Sequence, residues 1–440
     1  MKKSKLLLCL LIVSMIVVNI TPNTLSYADA KNTIPGSRLI VEYKESTNLD
    51  SLHQSIKKKH SDLSFDVLEK LDNNMEVIQL NGDVDLNSAI SCFENESNVE
   101  LVQPDYIVSY NDNFDTNIPD DSYFNYQWGL HNTGQPILDY GVAGMDINVL
   151  PAWNLTRGNA DVVIGVVDSG IDISHADLCS NVYINKNEIP NNNIDDDQNG
   201  FIDDVNGWDF ANNDNTVYDN LEEDVHGTCV AGIIAAASNN GMGITGVAPN
   251  VKILPIKFLK GLNGYTSDAI KAIQYAEAMG VSIVNCSWGG EEYNKVLEKV
   301  MRKSRILFVC SSGNDGTDLD QTSIYPICFH MNNIIGVGSI NNKGSIESYS
   351  NYGKEVDLVA PGSYILSTYP GNEYAFGSGT SFAAPFVTGI AALAKSMDNS
   401  LKSNQLRNTI INNVVFDQKL SGKVKSPGRV DAFRVLSSIK

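Results

Sequence analysis

The 440-residue sequence predicts an α/β fold: a parallel sheet sandwiched by helices and preceded by a small α+β unit. Three observations carry this expectation. From about residue 123 continuous Val/Ile runs alternate with helical patterns, as a parallel sheet covered on both faces demands. Residues 37–110 have another texture, two β-α-β halves ahead of a polar stretch. The apolar fraction of 42% is enough for a sizeable core.

Taken in order, the chain opens with Lys2, Lys3 and Lys5 before an apolar run from Leu6 to Val18. That run is shorter than the ~20 residues a membrane span needs. Ala28-Asp29-Ala30 then has the form of a cleavage site, so residues 1–30 are expected to be a secretory signal peptide and the mature protein to be extracellular. No later run is long and apolar enough to span a membrane. In residues 37–110, SRLIVEY, MEVIQL and VELVQPDYIVSY read as strands, and LDSLHQSIKKKH and VDLNSAISCFENES as helices on one face of their sheet. The stretch NDNFDTNIPDDS at 111–122 reads as a linker. Beyond it DVVIGVVDSG, VKILPIKFL, SIVNCSWGG, RILFVCSSGN and NIIGVGSI read as strands; GTCVAGIIAAA, TSDAIKAIQYAEAMG and the run after GSGTSFAAPFVTG read as helices.

Lys+Arg total 32 and Asp+Glu 52, so the formal charge of 32 − 52 = −20 excludes nucleic acid as a partner. Acid is concentrated in NNNIDDDQNGFIDDVNGWDF at 191–210, which points to a cation. Asp195-x-Asp197-x-Asn199-Gly200 has the one-three-five oxygen spacing and turn glycine of a calcium loop. Position twelve is Asn206 rather than glutamate, leaving Asp203 or Asp204 to close the shell. A solvated acidic loop is the plainer alternative. Of seven cysteines, Cys9 leaves with the signal peptide and Cys92 lies in the small unit. Cys179, Cys229, Cys286, Cys310 and Cys328 remain, an odd set without a Cys-x-x-Cys pair. Most read as small buried hydrophobes, with one disulfide left open.

In a doubly covered parallel sheet, ligands bind outside the carboxyl ends of the strands. Asp168 ends the strand in VVDSGID, His226 stands in VHGTCVAG at the start of a helix, and Asn314 follows a strand in SSGNDG. Ser381 in GSGTSFAAPFVTG opens a buried helix behind a glycine turn. Singly, each has a structural explanation as a turn or cap residue. Together they supply a nucleophile, its base, the carboxylate that fixes the base's tautomer and an oxyanion donor.

In these motifs the chain resembles the subtilisin family of serine endopeptidases. VVDSGIDISHADL, HGTCVAGIIAA and GTSFAAPFVTG are similar to its aspartate, histidine and serine motifs, and NCSWGG and SSGNDG to its substrate strand and oxyanion asparagine. The order Asp-His-Ser is that of the family. Three residues depart from it: Cys229, Phe382 and Phe386. Cys229 lies one helical turn from His226, where it is expected to alter the imidazole's packing and to confer sensitivity to thiol reagents.

The resemblance implies a secreted serine endopeptidase, a monomer acting on protein or peptide substrates. Residues 37–111 would be an inhibitory propeptide and intramolecular inhibitor, and 112–440 the catalytic domain. Self-cleavage would fall after Asn111, with Val108 in the fourth subsite. Substrate backbone would pair with Leu262-Asn263-Gly264 and Ser287-Trp288-Gly289, and Ile324 would floor the pocket for the residue before the scissile bond. An apolar floor there should reject a long basic side chain. A second structural calcium ion would be held by Asp121, Asp177 and Asn240 beneath SNNGMGI. The alternative, an inactive homologue acting as a binding or inhibitory module, sits poorly with four intact chemical positions.

Overall fold

The computed structural model describes residues 38–60, 63–71, 74–81, 86–105 and 118–439. The expected signal peptide, Val108, Asn111 and the end of the strand DYIVSYN lie outside the described residues. The described chain forms two compact units.

The smaller unit runs β1 (Arg38–Tyr43), α1 (Leu49–Lys59), β2 (Ser64–Lys70), β3 (Met75–Asn81), α2 (Leu86–Glu94) and β4 (Val99–Pro104). Its sheet has the order β2-β3-β1-β4 and every neighbour is antiparallel. Leu39, Val41 and Tyr43 alternate inward from β1 and meet Leu52 and Ile56 of α1 and Ala89 and Phe93 of α2. The helices thus cover one face, as the sequence suggested. Strand β2 is an addition to that reading: SFDVLEK buries only Phe65, so an exposed edge strand leaves little periodic signal.

The larger unit contains α3 (Val149–Ala152), β5 (Val163–Asp168), β6 (Trp208–Asp209), α4 (Leu221–Ala235), β7 (Lys252–Lys257), β8 (Leu259–Lys260), β9 (Asn263–Gly264), α5 (Thr266–Ala278), β10 (Ile283–Cys286) and α6 (Lys295–Lys303). It continues with β11 (Leu307–Ser311), β12 (Ile334–Ile340), β13 (Leu358–Pro361), β14 (Ile365–Tyr369), β15 (Glu373–Gly377), α7 (Thr380–Met397), α8 (Ser403–Ile411), β16 (Val415–Phe416), β17 (Gly428–Arg429) and α9 (Ala432–Ser437). The central sheet has the order β16-β17-β13-β12-β11-β10-β5-β7-β6. It is parallel throughout except for the edge strand β16.

Alternate side chains of each strand feed two cores. From β11, Leu307 and Val309 join α4 and α7, while Phe308 and Cys310 join α5 and α6. This is why the strands read as unbroken apolar runs. Helix α7 is buried from Thr380 through Ala394. Among the described residues no helix is long and apolar enough to cross a membrane, and none of the described cysteines is disulfide-bonded.

Candidate active site

The carboxyl ends of β5, β10 and β11, the second turn of α4 and the first turn of α7 converge. Asp168 closes β5 and is fully buried. Asn220 caps α4, accepting from the N–H groups of Glu222 and Glu223, and His226 follows in the second turn. The His226 Nδ1 lies 2.7 Å from Asp168 Oδ1, which also accepts the Ser169 N–H at 2.7 Å. Burial lowers the imidazole's pKa, but the charge and hydrogen bond of Asp168 outweigh this and leave it above the ordinary value. The ring of Phe382, next to Ser381, stands edge-on to the His226 ring at 6.4 Å between centroids.

Ser381 is the second residue of α7. Pro385 has no N–H to offer the Ser381 carbonyl four residues back. The Ser287 hydroxyl supplies the missing donor at 2.9 Å. Asn285 holds Ser287 in turn, donating Nδ2–H to its oxygen at 2.8 Å and accepting from Thr388 Oγ1 at 2.8 Å. The nucleophile candidate's backbone is thereby pinned to the end of β10.

Asn314 follows β11, and Thr380 fixes its amide. The Thr380 N–H and hydroxyl both donate to Asn314 Oδ1, at 2.8 and 3.0 Å, while Thr380 Oγ1 accepts the Gly313 N–H at 3.0 Å. With its oxygen occupied, Asn314 presents Nδ2 on the other side. A Cβ at Gly379 would sit 3.1 Å from Ser381 Oγ and 3.4 Å from Asn314 Nδ2, so both groups border one small space that glycine keeps open. Sequence reading named Asn314 and Ser381 but missed Thr380 and Gly379. Their place beside the serine in the GSGTS stretch was the available signal.

The expected specificity residues lie on three segments. Ser287, Trp288 and Gly289 continue from β10, Leu262 is exposed beside Asn263 and Gly264 of β9, and Trp288 packs edge-on against Phe258 at 4.9 Å. Ile324 borders the second segment and the turn after β11: a Cβ at Gly289 would be 2.9 Å from its Cγ2, and one at Gly313 would be 3.0 Å from its Cδ1. Cys229 corrects an expectation. It is buried, and burial together with the Asp168 charge pushes its thiol up to about 12, so it offers no reactive thiolate.

At the acidic loop, ligand atoms of Asp197, Asp204 and Glu188 lie within 4.8 Å of one another. Their hydrogen-bond donors are backbone N–H groups, the Asn185 and Asn199 amides and the Tyr275 hydroxyl, all uncharged. Hard, uncompensated carboxylates suit a calcium ion. Burial raises the Asp204 pKa, its hydrogen bonds offset part of the rise, and the Asp197 charge adds to it. Asp195 is not among these three; its oxygens accept the Asn199 and Gly200 N–H groups at 3.0 and 2.8 Å and close the turn. Asp203 likewise ties down Asn192 and Asn193, so Asp204 is the one that turns inward. Glu188 was missed because it precedes the loop. At the second location Asn240 Nδ2 donates to Asp177 Oδ1 at 2.7 Å, and Asp121 accepts the Asn239 N–H at 3.0 Å. Burial raises the Asp121 pKa and the Asp177 charge adds to it.

The family model for the subtilase family matches residues 159–429, well over half of the chain. The chain belongs to the subtilase family. It is 32% identical over 381 residues to a thermophilic serine proteinase from Bacillus sp. (strain AK1), covering 86% of this chain and 82% of that one. It is 33% identical over 291 residues to thermitase from Thermoactinomyces vulgaris, covering 65% of this chain and 91% of that one. Among solved structures, a protease from Pseudoalteromonas arctica PAMC 21717 superposes with a TM-score of 0.58 at 25% identity, covering 73% of this chain and 100% of that one. This subtilase is therefore a serine endopeptidase.

Proposed function

We propose that this subtilase is made as a secreted, self-inhibited precursor whose mature form cleaves peptide bonds through Asp168, His226 and Ser381. The observation that carries the assignment is the 2.7 Å contact between His226 Nδ1 and buried Asp168. That contact sets the imidazole tautomer with Nε2 free to take a proton. Ser381 Oγ attacks the scissile carbonyl as His226 accepts its proton. Asp168 stabilises the imidazolium, and the Ser381 N–H and Asn314 Nδ2–H receive the oxyanion. His226 then protonates the leaving amine, and water repeats the sequence to release the acyl group.

Substrate backbone is taken to pair as a strand along Leu262–Gly264 and Ser287–Gly289, with Ile324 limiting the pocket between them. Calcium bound by Glu188, Asp197 and Asp204, and by Asp121, Asp177 and Asn240, would offset carboxylate repulsion and stiffen these loops. The unit at 37–111 acts as intramolecular inhibitor and is cut after Asn111. A fluorophosphonate probe should label the wild-type protein and spare Ser381→Ala. Intact mass should show Ser381→Ala persisting as a precursor that begins after the signal peptide, while wild type begins near Asp112. Maturation of Ser381→Ala, expressed alone, at the same bond would overturn self-processing.

A further inference from the structure

A second group of buried charges lies beside the Asp168–His226 pair and takes no part in the mechanism above. Lys257 ends β7 opposite Asp168 in register on β5. The Phe258 N–H ties the two strand ends further, donating to the Asp168 carbonyl at 2.9 Å. The fully buried Lys257 ammonium meets Asp224 Oδ1 at 2.7 Å, Asp219 Oδ2 at 2.5 Å and Asp209 Oδ2 at 3.8 Å. Burial alone would favour the neutral amine, but the hydrogen bonds to Asp219 and Asp224 and the charges of Asp224 and Asp209 outweigh it and raise the pKa.

Asp224 stands two residues before His226, where α4 departs from helical geometry with φ −113° and ψ 15°. An irregular turn takes its angle from whatever grips its side chain. Here Asp224 Oδ1 holds Lys257, and Oδ2 accepts the N–H groups of Asp219 and of Asn220, the cap of α4. Asp224 also abuts the turn after Asp168: a Cβ at Gly170 would be 2.6 Å from Asp224 Oδ1. On the far side of His226, a Cβ at Gly227 would be 2.2 Å from the Gly170 carbonyl oxygen. His226 is thus bracketed by two contacts with the same glycine.

We infer that Lys257 is a positioning residue for His226: by clamping Asp224 it fixes the break in α4, and with it the approach of the imidazole to Asp168. Removing the ammonium leaves Asp209, Asp219 and Asp224 facing one another without a counter-charge, which breaks the clamp rather than merely loosening it. The inference rests on His226 being the general base.

The test measures kcat, KM, melting temperature and the pH dependence of kcat/KM for Lys257→Met, Lys257→Arg and Asp224→Asn. Lys257→Met should lower kcat by roughly 10²-fold, the scale of a small misplacement of a reacting group, with KM nearly unchanged. The acidic limb of kcat/KM should move to lower pH, because an imidazole parted from Asp168 loses the charge that raises its pKa. Lys257→Arg keeps the charge and should recover much of the loss. Should Lys257→Met fail to fold, Asp224→Asn decides: it keeps the side chain's shape and leaves Lys257 with two carboxylates, and should move the limb the same way. A folded variant with wild-type kcat and an unmoved limb overturns the proposal, whatever its melting temperature. Failure of the triad itself reads out differently, as fluorophosphonate labelling of wild type anywhere other than Ser381.

Discussion

Replacing Thr380 with valine removes one hydroxyl and almost no volume. In the structure that hydroxyl makes two bonds, accepting the Gly313 N–H and donating to Asn314 Oδ1. Asn314 keeps its other anchor, the Thr380 backbone N–H at 2.8 Å. The amide therefore loses one of two restraints. A net hydrogen bond is worth about 0.5–1.5 kcal/mol. At about 1.36 kcal/mol per tenfold in rate, kcat should fall roughly 2- to 13-fold. Truncating the donor itself, in Asn314→Ala, should cost about 10²–10³ in kcat, the scale established for loss of one oxyanion donor in a subtilisin. KM should change little in both, because the oxyanion forms after binding. The assay is steady-state hydrolysis of one peptide substrate by wild type and the two variants, each confirmed as folded. Equal kcat losses in the two would refute the reasoning, as would an unchanged kcat in Asn314→Ala.

Protonated His226 cannot act as a base, so kcat/KM should fall as pH drops through its pKa. Asp168 outweighs burial there, so a pH–rate profile should place the limb above about 6.5, and Asp168→Asn should shift it lower at a much reduced plateau. Excess chelator should lower the melting temperature and added calcium restore it; in Asp197→Asn/Asp204→Asn the calcium-dependent increment should shrink, as read by differential scanning fluorimetry. A peptide library should show little cleavage after Arg or Lys. Ile324→Ala should raise kcat/KM for bulky apolar residues before the scissile bond by several-fold, since each accommodated methylene is worth about 0.8 kcal/mol.

The sandwich and the four chemical positions were legible because each rests on local pattern. Unbroken Val/Ile runs need two covered faces, and Asp168, His226, Asn314 and Ser381 sit in short motifs at strand ends or helix starts. What escaped depends on meetings between distant segments. Glu188 joins Asp197 and Asp204 only once the loop folds back. Lys257 lies in VKILPIKFL, which the sequence shows only as a strand; only the fold shows three aspartates closing around it. Thr380 stands beside Ser381 in the sequence, and only the fold sets Asn314 against it.

The bond between the Ser287 hydroxyl and the Ser381 carbonyl has a consequence for register. Pro385 leaves that carbonyl vacant, and the residue that fills it opens the segment along which substrate is proposed to dock. Template and nucleophile therefore share one origin and cannot drift apart. A docked strand keeps the same side chains facing the pocket only if it slides by two residues, about 6.6 Å. A slip by one residue turns every side chain to the wrong face. Each permitted slide then skips a peptide bond and brings a different side chain to Ile324. Backbone pairing alone would accept many frames of a polypeptide; under the proposed docking, the side chain at Ile324 would select among them, and the fixed origin would make that choice a choice of bond.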